Sequence, residues 1–186
     1  MAVSSQLEWF RETGADGVEY VVRPFEWTLT EAEKYSETFA KFRIFVDDVA
    51  KDLNGFLASM MGSRSLWFEV AEAVTGEHVG FIYLTDLVPS GTERRMVSAT
   101  FHATVWDANA TSRLGVAKRF IRELFRSLRL HRLVAIVPLN KGGAIRVMKR
   151  LGFKQEGVLR QVVRYNGAWY SALLLSVLED EVSQWA

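Results

Sequence analysis

The sequence predicts one α/β (α+β) domain of six to seven strands and about four helices, and three observations predict it. Strand-like and helix-like segments alternate along the chain in the order β-α-α-β-β-β-α-β-α-β-β. Asn166-Gly167 separates two apolar, β-rich runs near the C-terminal end, the strongest short hairpin signal present. With 186 residues, 49% hydrophobic content and only 3 prolines, the chain can bury a core and lacks the composition of a disordered segment. No repeat, linker or low-complexity stretch divides it. Residues 1–186 are therefore expected to form a single domain, with an N-terminal strand and helices over 18–62 and a core over 66–178.

Residues 18–25 (V-E-Y-V-V-R-P-F) are β-branched and aromatic and read as the first strand, ending near Pro24. Thr30 with Glu33 makes a capping-box pattern, opening a helix whose apolar face carries Ala32, Tyr35, Phe39, Phe42 and Val46. A second helix follows Asp47 or Asp48, with Val49, Leu53, Phe56, Leu57 and Met60 inward, and stops by Gly62. These aromatic-lined helices are either core packing or the wall of a substrate pocket. Residues 66–73 and 78–85 read as strands joined by V-T-G-E, with Gly76 available for positive φ. A further strand runs over 96–106. The helix over 113–130 buries Leu114, Ala117, Ile121, Leu124, Phe125 and Leu128, and turns Arg119, Arg122, Arg126 and Arg129 to solvent. Residues 133–137 (L-V-A-I-V) suit a central strand covered on both faces. Residues 141–151 form a helix with Ile145, Met148 and Leu151 inward and Gly152 in the C-terminal capping place. Strands over 158–165 and 168–177 flank the final turn.

The absence of cysteine excludes disulfides and thiolate zinc sites. His78, His102 and His131 are too scattered to suggest metal ligation, so no metal is expected. No apolar run approaches ~18 residues and no basic-then-apolar pattern opens the chain, so a soluble, cytoplasmic protein with no membrane partner is expected. The net charge of +1 conceals an asymmetry: residues 113–164 hold fourteen Lys/Arg against Glu123 and Glu156, and the remainder holds nine basic and twenty acidic residues. This points to an anionic partner for the C-terminal half, to the two halves packing together, or to ordinary solvated helix faces. Within that half, D-A-N-A-T-S-R-L-G-V-A-K at 107–118 is a small-residue loop opening onto a basic helix. The first turn of such a helix leaves backbone N–H groups unpaired and concentrates positive charge, so it can hold a phosphate.

The element order, with R-L-V-A-I-V-P-L-N at 132–140 and A-I-R-V-M-K-R-L-G-F-K-Q-E-G-V-L-R at 144–160, resembles the GNAT acyltransferase superfamily, especially its branch that acetylates ribosomal-protein N-termini. The likeness is clear over about 101–178. It implies a GNAT-like single domain with a mixed central sheet, acetyl-CoA (coenzyme A) as cofactor, and acetyl transfer to a primary amine. The acceptor would be a protein N-terminus or a small amine such as a polyamine, an aminoglycoside-like molecule or an amino acid. In the family, the pyrophosphate rests on the amides of a Q/R-x-x-G-x-G/A loop. Here that loop falls on S-R-L-G-V-A at 112–117, where Gly115 and Ala117 match and Ser112 and Arg113 depart. The implied cofactor contacts are Arg113, Leu114, Gly115, Val116, Ala117 and Lys118, with the pantetheine arm beside Val105 and Asn140 helping to hold it. Arg113 is expected to point outward onto the phosphates.

Transfer to an amine needs a base for the ammonium proton and gains from an acid at the departing thiolate. Where relatives often carry Glu, this chain has His102, whose ordinary pKa suits that proton near neutrality. The competing reading is a satisfied strand histidine. The family's Tyr acid is replaced by Met148, and a carboxylate on the final hairpin by Ser171. Trp106, Trp169 and Tyr170 either line the acceptor pocket or pack in the core. The departures at Ser112, Arg113, Met148 and Ser171 leave a second class open, in which the fold is kept as a binding or assembly module with a protein partner. Nucleic-acid binding through Arg119, Arg122, Arg126 and Arg129 ranks last, because no base-reading motif accompanies the stripe.

Overall fold

The computed structural model describes residues 9–41, 55, 65–90, 96–105 and 113–185. Its strands are β1 (Phe10–Thr13), β2 (Glu19–Phe25), β3 (Leu66–Glu72), β4 (His78–Pro89), β5 (Met96–Val105), β6 (Leu130–Pro138), β7 (Lys154–Tyr165) and β8 (Ala168–Leu178). They form one sheet in the order β1-β2-β3-β4-β5-β6-β8-β7. All neighbours are antiparallel except β5 and β6. Those two are parallel because α2 (Leu114–Leu128) carries the chain between them as a crossover. The other helices among the described residues are α1 (Leu29–Lys41), α3 (Gly142–Arg150) and α4 (Glu179–Ser183). None is long and apolar enough to cross a membrane.

On one face of the sheet, Tyr20, Phe68, Phe101, Leu133 and Leu175 meet the buried side of α2. That side carries Val116, Phe120, Ile121, Leu124 and Phe125, so Val116 and Phe120 join the residues expected there, while Leu114, Ala117 and Leu128 are only partly covered. Phe120 is the hub: Trp9, Phe10 and Phe68 surround its ring with centroids at 5.7, 5.8 and 5.4 Å. Truncating such a ring to alanine costs about 3–5 kcal/mol. On the opposite face, Ala32 and Tyr35 of α1 are buried, and Tyr35 stands edge-on to Phe81 at 4.9 Å.

Several boundaries differ from the sequence expectation. Helix α1 is capped by Thr28, whose Oγ accepts the Glu31 N–H at 3.2 Å, so the cap lies two residues before the expected Thr30. T-L-T-E at 28–31 supplies the same S/T-x-x-E pattern two residues earlier in the chain, and the structure uses its threonine. Helix α2 stops at Leu128 because Arg129 takes a left-handed conformation (φ 52) and the chain enters β6 at once. Strand β6 is covered on one face only: Leu133, Ala135 and Val137 are buried, yet Ile136 is 40% exposed. Two short elements were not expected. Strand β1 has four residues and is held by distant aromatic contacts, and α4 has five and is held by Val182 and Trp185. The expected helix over 47–62 lies outside the described residues, apart from position 55. Asn166 and Gly167 both have positive φ (50 and 77), as their hairpin turn requires.

Candidate active site

The parallel pair opens the site. Register between β5 and β6 runs from Met96↔Leu130 to Thr100↔Val134 and goes no further. Both strands continue, β5 to Val105 and β6 to Pro138, each still paired on its outer side. They therefore part, leaving a wedge between 101–105 and 135–138. Val105 ends one arm, opposite Gly80 of β4. Asn140 sits exposed in the turn that follows the other arm.

The N-terminus of α2 follows β5 in the chain. No side chain caps it and no acidic residue lies in its first turn. The first helical bond is Ala117 N–H to the Arg113 carbonyl at 2.9 Å, so the amides of Leu114, Gly115 and Val116 precede it. A Cβ placed on Gly115 would meet no atom within 4 Å, so the backbone is open to close approach there. Among the described residues, the amides that precede this bond, a bare glycine and a first turn without a carboxylate fit a pyrophosphate.

The side chains at this helix end behave otherwise than expected. Arg113 does not point outward. It is only 7% exposed, its guanidinium lies over the Tyr20 ring at 4.8 Å, and it hydrogen-bonds the Tyr20 hydroxyl. That hydroxyl donates to Asp16 Oδ2 at 2.9 Å, so Tyr20 stands between Arg113 and a carboxylate of the β1–β2 turn, far away in sequence. Burial raises the Tyr20 pKa; Arg113 pulls it down and Asp16 pushes it up. The Lys118 ammonium lies 5.5 Å from the Trp185 ring centre. Arg119 pairs with Glu12 at 2.5 Å, Arg122 donates to the Trp185 carbonyl at 2.6 Å, and Arg126 pairs with Glu123 at 3.0 Å. The expected solvent stripe is thus partly committed within the chain.

On the α1 face, one side chain from each of three strands stacks in register. Trp67 and Tyr83 lie parallel at 3.9 Å, and Tyr83 and His102 at 4.3 Å with 2° between planes. His102 stands two residues beyond the last β5–β6 pair, on the arm that leaves β6. Its Nε2 lies 3.0 Å from Thr85 Oγ, and the Thr85 hydroxyl donates to Asp86 Oδ2 at 3.0 Å. Burial lowers the His102 pKa to about 4, only partly offset by the Asp86 charge. The ring is therefore neutral at pH 7, with an acceptor nitrogen available, but holds a proton less firmly than the sequence suggested.

Met148 is buried at 7% exposure, so the position of the family's tyrosine is spent on the core. The Ser171 Oγ accepts the Gln161 N–H at 3.2 Å, bracing a register irregularity in β7 where Gln161 has φ 48. Trp169 is 59% exposed and is not core packing. Ser112 and Trp106 lie outside the described residues. Sequence reading missed Thr85 and Asp86 because their importance rests on a cross-strand register that only the fold supplies.

Residues 25–174 match the acetyltransferase (GNAT) domain family, so the chain belongs to the GNAT acetyltransferases, a family that uses acetyl-CoA. Among solved structures it is similar to Mycobacterium smegmatis RimJ in complex with CoA-disulfide, with TM-score 0.70 and 20% identity, over 94% of this chain and 88% of that one. Spermidine N-acetyltransferase from Vibrio cholerae, in complex with CoA and spermine, gives TM-score 0.68 and 16% identity, over 89% and 98%. Ribosomal-protein-S5-alanine acetyltransferase from Vibrio fischeri gives 0.65 and 16%, over 87% and 93%. The probable N-acetyltransferase YjcK of Bacillus subtilis is 37% identical over 60 residues, 32% of this chain. The match spans 33% of that protein's own length. At these identities the solved structures establish the fold, and the acceptors in their names belong to them.

Proposed function

We propose that this protein transfers the acetyl group of acetyl-CoA to a primary amine, carried by a protein N-terminus or by a small molecule. The observation that supports this most is the parting of β5 from β6 after Thr100↔Val134 together with the uncapped first turn of α2. Acetyl-CoA, when bound, supplies an activated thioester. The amides of Leu114, Gly115 and Val116 would hold its pyrophosphate, and the parted strands would take its pantetheine arm beside Val105, with Asn140 at the far side. His102, neutral at working pH, accepts a proton from the acceptor amine directly or through water. A cytoplasmic location belongs to the same proposal, since acetyl-CoA is an intracellular donor.

The test is thiol release from acetyl-CoA in the presence of spermidine, a peptide with a free N-terminus, and the same peptide with its N-terminus blocked. Release with one of the free amines and none with the blocked peptide is expected. CoA binding by calorimetry without transfer to any amine would favour the binding or assembly reading, which Met148 and Ser171 keep in view.

A further inference from the structure

We propose that Thr85 and Asp86 form, with His102, a relay that carries the acceptor's proton from the cleft to solvent; this rests on the N-acetyltransferase reading above. The Thr85 hydroxyl has one hydrogen, and it goes to Asp86 Oδ2 at 3.0 Å. Thr85 Oγ must then accept from His102 Nε2, also at 3.0 Å, so Nε2 carries the ring hydrogen. The lone pair is left on Nδ1, which has no hydrogen-bond partner among the described residues. The ring plane is fixed by the Tyr83 stack at 4.3 Å.

The backbone bends to make this chain. Between Thr85↔Thr100 and Val88↔Ser98, Asp86 and Leu87 of β4 face Ala99 alone on β5, a β-bulge. Asp86 takes φ 49 there, a left-handed conformation that Asp tolerates better than most residues. The bulge brings its carboxylate beside Thr85 while leaving the residue exposed.

Each transfer balances. Nδ1 takes a proton from the acceptor ammonium, Nε2 gives its own to Thr85 Oγ, and the Thr85 hydroxyl hydrogen passes to Asp86, which releases it to water. No charge accumulates on the buried ring. A ring whose pKa is lowered to about 4 cannot keep a proton at pH 7, so handing it on suits it better than storing it.

The test pairs the ring's tautomer with kinetics. Long-range ¹H–¹⁵N spectra of the full chain at pH 7 should show His102 protonated on Nε2. Thr85→Val should lose that preference, and Thr85→Ser should restore it. With whichever amine is acetylated, Thr85→Val should lower kcat about 10- to 100-fold with KM for acetyl-CoA unchanged, and Thr85→Ser should recover the rate. Asp86→Asn tolerates the same backbone and still accepts the Thr85 hydrogen, so it should keep the tautomer yet lose rate. A wild-type ring protonated on Nδ1 overturns the relay whatever the activity. Full kcat in Thr85→Val or in Asp86→Asn also overturns it. An Nε2-protonated ring in a protein that acetylates no amine supports the hydrogen-bonded chain and counts against the N-acetyltransferase reading instead.

Discussion

The two sides of the cleft are made of different material. The proposed donor side is backbone: parted strands, a bare glycine and a first helical turn with no capping side chain. The proposed acceptor side is side chains: a stacked Trp67-Tyr83-His102 row and a threonine and aspartate aimed by a bulge. Backbone amides are supplied by any sequence that keeps the helix in place, so a donor side of this kind would tolerate departures such as Arg113. The acceptor side has no such insurance. Its chemistry changes with each residue.

The largest expected effect is on the donor side. Gly115→Glu puts a carboxylate at the first turn of α2, where a Cβ meets nothing within 4 Å, so folding should be unaffected. CoA affinity should fall at least ~100-fold, about 3 kcal/mol, because the charge opposes the phosphates and their seat. Calorimetry beside a thermal melt reads both; unchanged affinity would break the comparison.

Arg113→Gly comes next and should act on stability. Removing the buried guanidinium strips Tyr20 of both a cation over its ring and a hydrogen-bond partner for its hydroxyl. The expected cost is about 2–3 kcal/mol by urea unfolding, with CoA affinity of the folded protein within about threefold. A tenfold loss of affinity at unchanged stability would make the side chain a phosphate ligand and erase the distinction.

A smaller effect belongs to pH. His102 has its folded pKa lowered to about 4 from 6.5, so below pH 6.5 the unfolded chain binds the proton first. Its contribution is complete above pH 6.5 and is lost as pH falls towards 4. Discounted for the ring's partial exposure, this is about 2 kcal/mol. His102→Gln should flatten unfolding free energy across that window; an unchanged slope would mean the ring is not buried as described. Smallest is Gly115→Ala, which should raise stability by up to about 1 kcal/mol through helix propensity while weakening CoA binding slightly.

The same division explains what the sequence made legible. Helix α2, the Asn166-Gly167 turn and the cap at Gly152 follow from local patterns, and the proposed anion seat rests on the helix start that the same pattern gives. Strand β1 and helix α4 were not legible, because four and five residues carry no period and are fixed by Phe120, Gly152 and Trp185 from elsewhere. Arg113 turns inward for a related reason: Tyr20, and through its hydroxyl Asp16, reach the Arg113 side chain only through the fold. The charge asymmetry was resolved in part by the two halves packing together, as Arg119 with Glu12 shows. The sequence places His102 on its strand but not its surroundings, since Thr85 meets it only across a strand pair.

The most direct measurement is a titration of CoA into ¹⁵N-labelled protein. The backbone amides of Leu114, Gly115 and Val116 should shift most, joined by Phe101 to Val105 along the parted arm of β5. Shifts confined to the β7–β8 hairpin around Gln161 and Ser171, or none at millimolar CoA, would contradict a donor side built from the first turn of α2.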